Sequence, residues 1–247
     1  MDLPPPLTTE QTIAENLAHV SARIKAAARR AGRDPAAITL VAVSKTFDAS
    51  HVRAAWSAGQ REFGENKVQE GDRKAAATRD LAGARWHFIG HLQSNKARKA
   101  AAAFSVIHSV DSAELLMRLD AAATEQGTRP EILIQADLAG EATKHGAAAR
   151  EIADLVHRAL DSRAVRLSGL MLLPPWNENQ EVTRPWFVRL RALRDQFVDA
   201  GMPADALKHL SMGMSHDFEA AVEEGATIVR VGTAIFGKRQ NAAGPVG

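Results

Sequence analysis

The chain has 247 residues, 45 % hydrophobic and 24 % charged, long enough for one large α/β domain with a sizeable core. Lys+Arg number 31 against Asp+Glu 29, a net charge of +2 that is too small to argue for a nucleic-acid partner. Cysteine and tyrosine are both absent, which excludes disulfides, thiol catalysis and any tyrosine acid–base role. The opening "MDLPPPLTTE" carries an acid and three prolines and does not read as a secretory signal, and no apolar run has the length of a membrane span. The composition predicts a soluble, cytoplasmic protein.

A helix comes first. Thr8 and Gln11 have capping-box spacing; Ile13, Leu17, Val20 and Ile24 share one face, and Gly32 closes it. Eight strand candidates follow: Ile38–Ser44, Arg61–Glu65, Trp86–Gly90, Ser105–Val110, Glu131–Leu138, Arg166–Leu173, Lys208–Gly213 and Thr227–Gly232. Helical stripes lie between them. Val52, Ala55 and Trp56 precede Gly59. Asp111 with Glu114 caps a helix carrying Leu115, Leu119 and Ala122. Ile152, Leu155, Val156 and Ala159 form another stripe. Val182, Trp186, Leu190, Leu193 and Phe197 form the longest, and Ser215 caps the last, with Phe218 and Val222 inward. The cluster Asn95-Lys-Ala-Arg-Lys99 reads as a solvated helix face.

Alternation of strands and helices implies parallel strands with right-handed crossovers. Eight units plus an extra N-terminal helix predict a single (β/α)8 TIM barrel. The predicted domain covers residues 1–247, with a core of about 8–238 between short mobile tails. A doubly wound sheet is the rival, but the turn after the first strand reads Ser44-Lys45-Thr46 and lacks its glycine-rich loop.

Functional residues of such a barrel sit at the C-terminal strand ends. Those ends carry Lys45, Glu65-Asn66, His87 and His91, Asp111, Asp137, Met171, Ser211 and Arg230-Val-Gly-Thr233. "SMGMS" after the seventh strand offers the Ser211 hydroxyl, Gly213 and a helix start; "VGT" after the eighth offers Gly232 and the Thr233 hydroxyl. Either alone is ordinary turn chemistry; together, on neighbouring strands, they suit a phosphate. Barrel closure brings Lys45 beside them, and a partly desolvated lysine is a Schiff-base nucleophile. A lysine beside a phosphate cradle suits a phosphorylated aldehyde cofactor or a sugar phosphate. Arg230 favours the former, because a guanidinium beside a pyridine nitrogen disfavours its protonation and has no purpose against a sugar. His87 and His91 are four apart without a carboxylate at ligand spacing, so core packing or a loop contact is the expectation and no metal is predicted.

The ordered stretches "AVSKTF", "GQREFGENKVQE", "WHFIGHLQSNKAR", "HSVDS", "GLM" and "LSMGMSHDFEAAVEEGATIVRVGTAIFG" resemble the pyridoxal phosphate homeostasis (YggS/PROSC) family, from the first helix to Phe236. The resemblance implies the fold of the alanine racemase N-terminal barrel and a vitamin B6 cofactor, pyridoxal 5′-phosphate (PLP). It implies that Lys45 holds PLP as an internal aldimine, that Ser211, Gly232 and Thr233 bind the phosphate, that Arg230 faces the pyridine nitrogen and that Asn66 lies beside the ring. Met171, Gly213 and Lys144, the last in "TKHG", are weaker candidate contacts. Phe47, Asp48, Lys67 and His216 depart from residues common in the family. The implied role is PLP homeostasis: a monomeric carrier that supplies PLP to apo-enzymes, without nucleic-acid or membrane partners. The alternative is a PLP-dependent amino-acid racemase of weak activity, lacking the usual tyrosine base. A Schiff-base aldolase is a third reading.

Overall fold

The structure is a computed structural model that describes residues 7–140 and 145–238. Helix α1 (Thr9–Arg30) starts where the sequence predicts: the Gln11 N–H donates to Thr8 Oγ1 at 3.2 Å and the Thr8 N–H donates to Gln11 Oε1 at 2.9 Å. Its apolar face lies on helices α2 (Ala49–Ser57), α8 (Phe218–Glu223) and α9 (Thr233–Phe236), so it seals one side of the barrel.

Eight parallel strands make the barrel: β1 (Thr39–Val43), β2 (Glu62–Glu65), β3 (Arg85–Phe88), β4 (Val106–Val110), β5 (Glu131–Asp137), β7 (Arg166–Leu172), β8 (His209–Ser211) and β9 (Ile228–Val231). The ring closes because β4 pairs with β5, and β1 pairs with β9 through Thr39 beside Ile228 to Ala42 beside Val231. A two-residue strand, β6 (Ala147–Ala148), adds to the end of β5 and is too short for its sequence to announce.

Side chains alternate across each strand. Outward residues such as Ala42, Phe63, Trp86, Phe88, Val229 and Val231 join the large cluster under the helices. Inward Val41, Val106, Leu133, Met171 and Ile228 form a second, smaller cluster in the barrel interior. The same alternation turns polar residues inward, and they bond in a chain. His87 Nε2 is 2.6 Å from Glu62 Oε2, His87 Nδ1 is 2.8 Å from His108 Nε2, and His108 Nδ1 is 2.8 Å from Ser211 Oγ.

The remaining helices are α3 (Val68–Ala77), α4 (Ala97–Ala103), α5 (Ala113–Gln126), α6 (Ala149–Leu160) and α7 (Gln180–Asp199). Three expectations are corrected. Ser112, not Asp111, caps α5, its hydroxyl accepting from the Leu115 N–H. The buried face of α7 is Thr183, Phe187 and Leu190, while Val182 is exposed; Pro185, the sixth residue of the helix, supplies no N–H to the Glu181 carbonyl, yet the helix runs on through it to Asp199. Ser215 does not cap α8, which starts after Asp217; the Met214 N–H donates instead to Asp217 Oδ1 at 2.7 Å. Among the described residues, no helix is long and apolar enough to cross a membrane.

Candidate functional site

A cavity of about 620 Å³ opens at the C-terminal strand ends. Lys45, Asn66, Arg230, Gly232 and Thr233 all line it, so five of the predicted residues, drawn from β1, β2 and β9, meet there. The β1–β9 pairing does most of this work: its ladder ends at Ala42 and Val231, and the next residues on both strands face the same opening.

Lys45 follows the last strand residues in a turn, with its side chain exposed to the cavity. Thr46 behind it has φ +72°, a left-handed conformation that costs a β-branched residue about 1–2 kcal/mol. Phe47 packs against the rings of His51 and Phe236, at centroid distances of 5.0 and 5.4 Å, and so ties this turn to α9. Asn66 is held from below by Gly90: a Cβ at position 90 would lie 2.2 Å from the Asn66 carbonyl oxygen, so only glycine permits this approach.

Arg230 is buried inside the barrel mouth. It donates to Ser211 Oγ at 2.5 Å and to the Leu172 carbonyl at 3.0 Å, and has no carboxylate at ion-pair distance among the described residues. Burial pulls its pKa down to about 10, with Asp217 pulling the other way, so it remains a cation at neutral pH. A buried cation with neutral partners on one side and a cavity on the other suits an electron-rich ligand group.

Not every predicted residue reaches the cavity. Ser211 is fully buried and spends its hydroxyl on His108 and Arg230. The serine that lines the cavity is Ser215, whose hydroxyl accepts from the Gly232 N–H at 3.2 Å. Ser211 thus acts on Arg230 from inside the barrel, and Ser215 stands where a phosphate hydroxyl was expected. Met171 faces the barrel interior and Gly213 forms the turn above β8; neither lines the cavity. Lys144 lies outside the described residues.

Other lining residues were missed by position alone: Gln135, His145, Trp176 and Met214. His216, one of the departures, lines the cavity too, and Lys67 precedes α3. His87 is a core histidine and His91 a loop contact at the mouth, as expected. His91, Asp111 and His145 bring potential ligand atoms within 4.8 Å of one another, a group that sequence spacing does not reveal. The two imidazoles, however, stack face to face at 3.5 Å and 9°, so their in-plane lone pairs run side by side instead of converging on one point.

The residues present fit a phosphorylated pyridine aldehyde: among the described residues the cavity offers the Lys45 amine, the buried Arg230 guanidinium, the Ser215 and Thr233 hydroxyls, and the start of α9 at Thr233, where the first backbone N–H groups of a helix have no acceptor within it. The model of the alanine racemase N-terminal domain family matches residues 16–240. A pyridoxal phosphate homeostasis protein of Pseudomonas aeruginosa is 45 % identical over 236 residues, covering 94 % of this chain and 98 % of that protein. The chain belongs to the pyridoxal phosphate homeostasis protein family. A member from Aquifex aeolicus is 42 % identical over 92 % of this chain and 98 % of its own length. PipY of Synechococcus elongatus, solved with PLP bound, superposes with a TM-score of 0.81 at 39 % identity, over 91 % of this chain and 100 % of that one. An alanine racemase of Streptomyces coelicolor shares the fold at 21 % identity and a TM-score of 0.66, with 59 % of that longer chain covered.

Proposed function

We propose that this protein binds pyridoxal 5′-phosphate, holds it covalently on Lys45 and supplies it to apo-enzymes, as a PLP homeostasis protein. One observation carries the reading: barrel closure brings the Lys45 amine into the same cavity as Arg230, Gly232 and Thr233. With PLP in the cavity, the Lys45 amine would be the nucleophile toward its aldehyde, with the aldehyde oxygen lost as water. Ser215, Thr233 and the start of α9 suit the phosphate, and Asn66 the ring edge. Arg230, a cation at the cavity wall, would disfavour protonation of a pyridine nitrogen held beside it, and the ring would then be a weak electron sink. We read the protein as one monomeric, cytoplasmic domain, without nucleic-acid or membrane partners.

Slow racemization is the second reading, favoured by the shared fold and by His91 and His145 at the mouth. A tyrosine base is impossible here, since the sequence has none. Purified protein incubated with PLP is expected to gain a visible imine band that borohydride traps on Lys45, and Lys45→Ala to remain colourless. Wild type that stays colourless would sink the reading. Exchange of amino-acid α-protons in deuterated water at true racemase rates would favour the second reading; PLP transfer to an apo-enzyme faster than release into solution would favour the first.

A further inference from the structure

Two peptide units flank the Cα of Lys45, and one buried side chain bonds the first directly and the second through Glu70, beside the Phe47 N–H that also donates to the Ser44 carbonyl at 3.0 Å. Lys74, on α3, is 5 % exposed at its side chain. Its ammonium donates to the Ser44 carbonyl at 2.7 Å, to Glu65 Oε1 at 2.6 Å and to Glu70 Oε1 at 2.8 Å, which uses all three of its donors. The Ser44 carbonyl belongs to the peptide entering Lys45. The peptide leaving Lys45 presents the Thr46 N–H, which donates to the same Glu70 Oε1 at 2.8 Å. The Ser44 hydroxyl closes the set on Glu65 Oε1 at 2.6 Å.

Close packing puts Lys74 within reach. A Cβ at Gly71 would meet the Phe104 ring at 2.4 Å and Glu65 Cβ at 3.2 Å, so α3 can lie this low on β2 only with glycine there. Burial pushes the Glu65 carboxyl above its ordinary value, against the bonds from Lys74 and Ser44. Burial would also raise Glu70, but the bonds from Lys74 and the Thr46 N–H outweigh it and hold Glu70 below the usual range. A buried ion cluster is weak evidence for stability in itself, so its retention around one turn calls for another reason.

We propose that Lys74, acting through Glu65 and Glu70, is the positioning residue for Lys45: it holds the strained Ser44–Thr46 turn so that the Lys45 amine projects into the cavity ready to meet an aldehyde. This rests on the PLP reading above. Lys74 is not itself a lining residue of the cavity. Its effect is on how fast the covalent bond forms, not on how well a phosphate binds.

Two ligands separate those quantities. Pyridoxine 5′-phosphate has the ring and phosphate but no aldehyde; PLP has all three. Glu70→Ala removes the Thr46 anchor at a partly exposed site, and Lys74→Met with Glu65→Gln removes the clamp without stranding Glu65. For both, pyridoxine 5′-phosphate affinity is expected to stay at the wild-type value, while the rate of imine formation with PLP drops roughly 10- to 100-fold, as expected for a reacting group displaced by an ångström or so. Glu70→Gln keeps an acceptor for the Thr46 N–H and restores most of the rate. In the ligand-free protein the Thr46 amide should exchange faster with deuterated water in Glu70→Ala than in wild type. Equal losses for both ligands would mean a merely structural role and overturn the proposal, as would unchanged imine rates or unchanged amide exchange. Wild type that binds pyridoxine 5′-phosphate but never forms an imine would instead overturn the reading of Lys45, with the amide exchange still deciding the clamp.

Discussion

Two buried cations stand beneath the same cavity and are held in opposite ways. Lys74 has two carboxylates and a carbonyl around it, all within 2.8 Å. Arg230 has a hydroxyl and a carbonyl, with no carboxylate at ion-pair distance among the described residues. Lys74 is therefore saturated, and its charge is used within the protein. Arg230 keeps charge in reserve and lines the cavity, where a ligand can meet it. The lesson is that burial of a cation says little about role until its counter-charges are counted.

The comparison breaks first on stability. Lys74→Met strands two carboxylates and is expected to cost about 3–5 kcal/mol in urea unfolding. Adding Glu65→Gln should recover most of that, since Glu70 is partly exposed and can hydrate. A second, smaller effect is acidic and belongs to the Arg230 side. His108 and His209 are held below the ordinary histidine value, chiefly by burial, His209 to about 4. The sign is that of a base with a depressed folded pKa: the unfolded chain takes up protons below about pH 6.5 and the folded chain does not. Stability should thus fall as pH drops from 6.5 to 5, by up to about 1.4 kcal/mol per pH unit for His108 and less for the partly buried His209. Urea midpoints across that window check it, and His209→Asn should flatten the slope slightly. Third, Arg230→Met puts an apolar chain in place of a charge that has no carboxylate in contact among the described residues, and should change stability by only about 1 kcal/mol or less, far below Lys74→Met. A cost equal to that of Lys74→Met would erase the distinction. Smallest is Thr46→Gly, which relieves the positive φ and should gain about 0.5 kcal/mol after the glycine entropy is subtracted.

The two cations also differ in how far the sequence reveals them. Arg230 lies in "IVRVG", where a charge inside an apolar strand can only face the barrel or its mouth. Lys45, Gly232 and Thr233 are legible for the same reason, as polar residues where a buried strand stops. Lys74 sits in "VQEGDRKAAA", which reads as the wet face of a helix with an ordinary Glu70 pair four residues back. Only the low packing of α3 on β2 buries it, and that is a tertiary fact. Ser215 is an intermediate case. Both serines of "SMGMS" were available, and the choice depends on where β8 stops: at Ser211, which still points inward, so the cavity wall begins after the turn at Gly213. Asn66 was legible through the family resemblance alone, because its placement depends on the backbone of Gly90, 24 positions away.

The β1–β9 pairing has a consequence in time as well as in space. Lys45 is made early in synthesis and its cavity partners Arg230 to Thr233 almost 190 residues later. At ribosomal speeds of about 5–20 residues per second, the nascent chain carries an exposed Lys45 for on the order of ten to forty seconds before the last strand can dock. During that interval the first strand has no neighbour on one edge, and Lys45 has no closed cavity to project into. A chain stalled before residue 228 would keep Lys45 yet lack Arg230, Gly232 and Thr233 from the cavity wall, so on the proposed function premature termination should yield protein that retains no PLP.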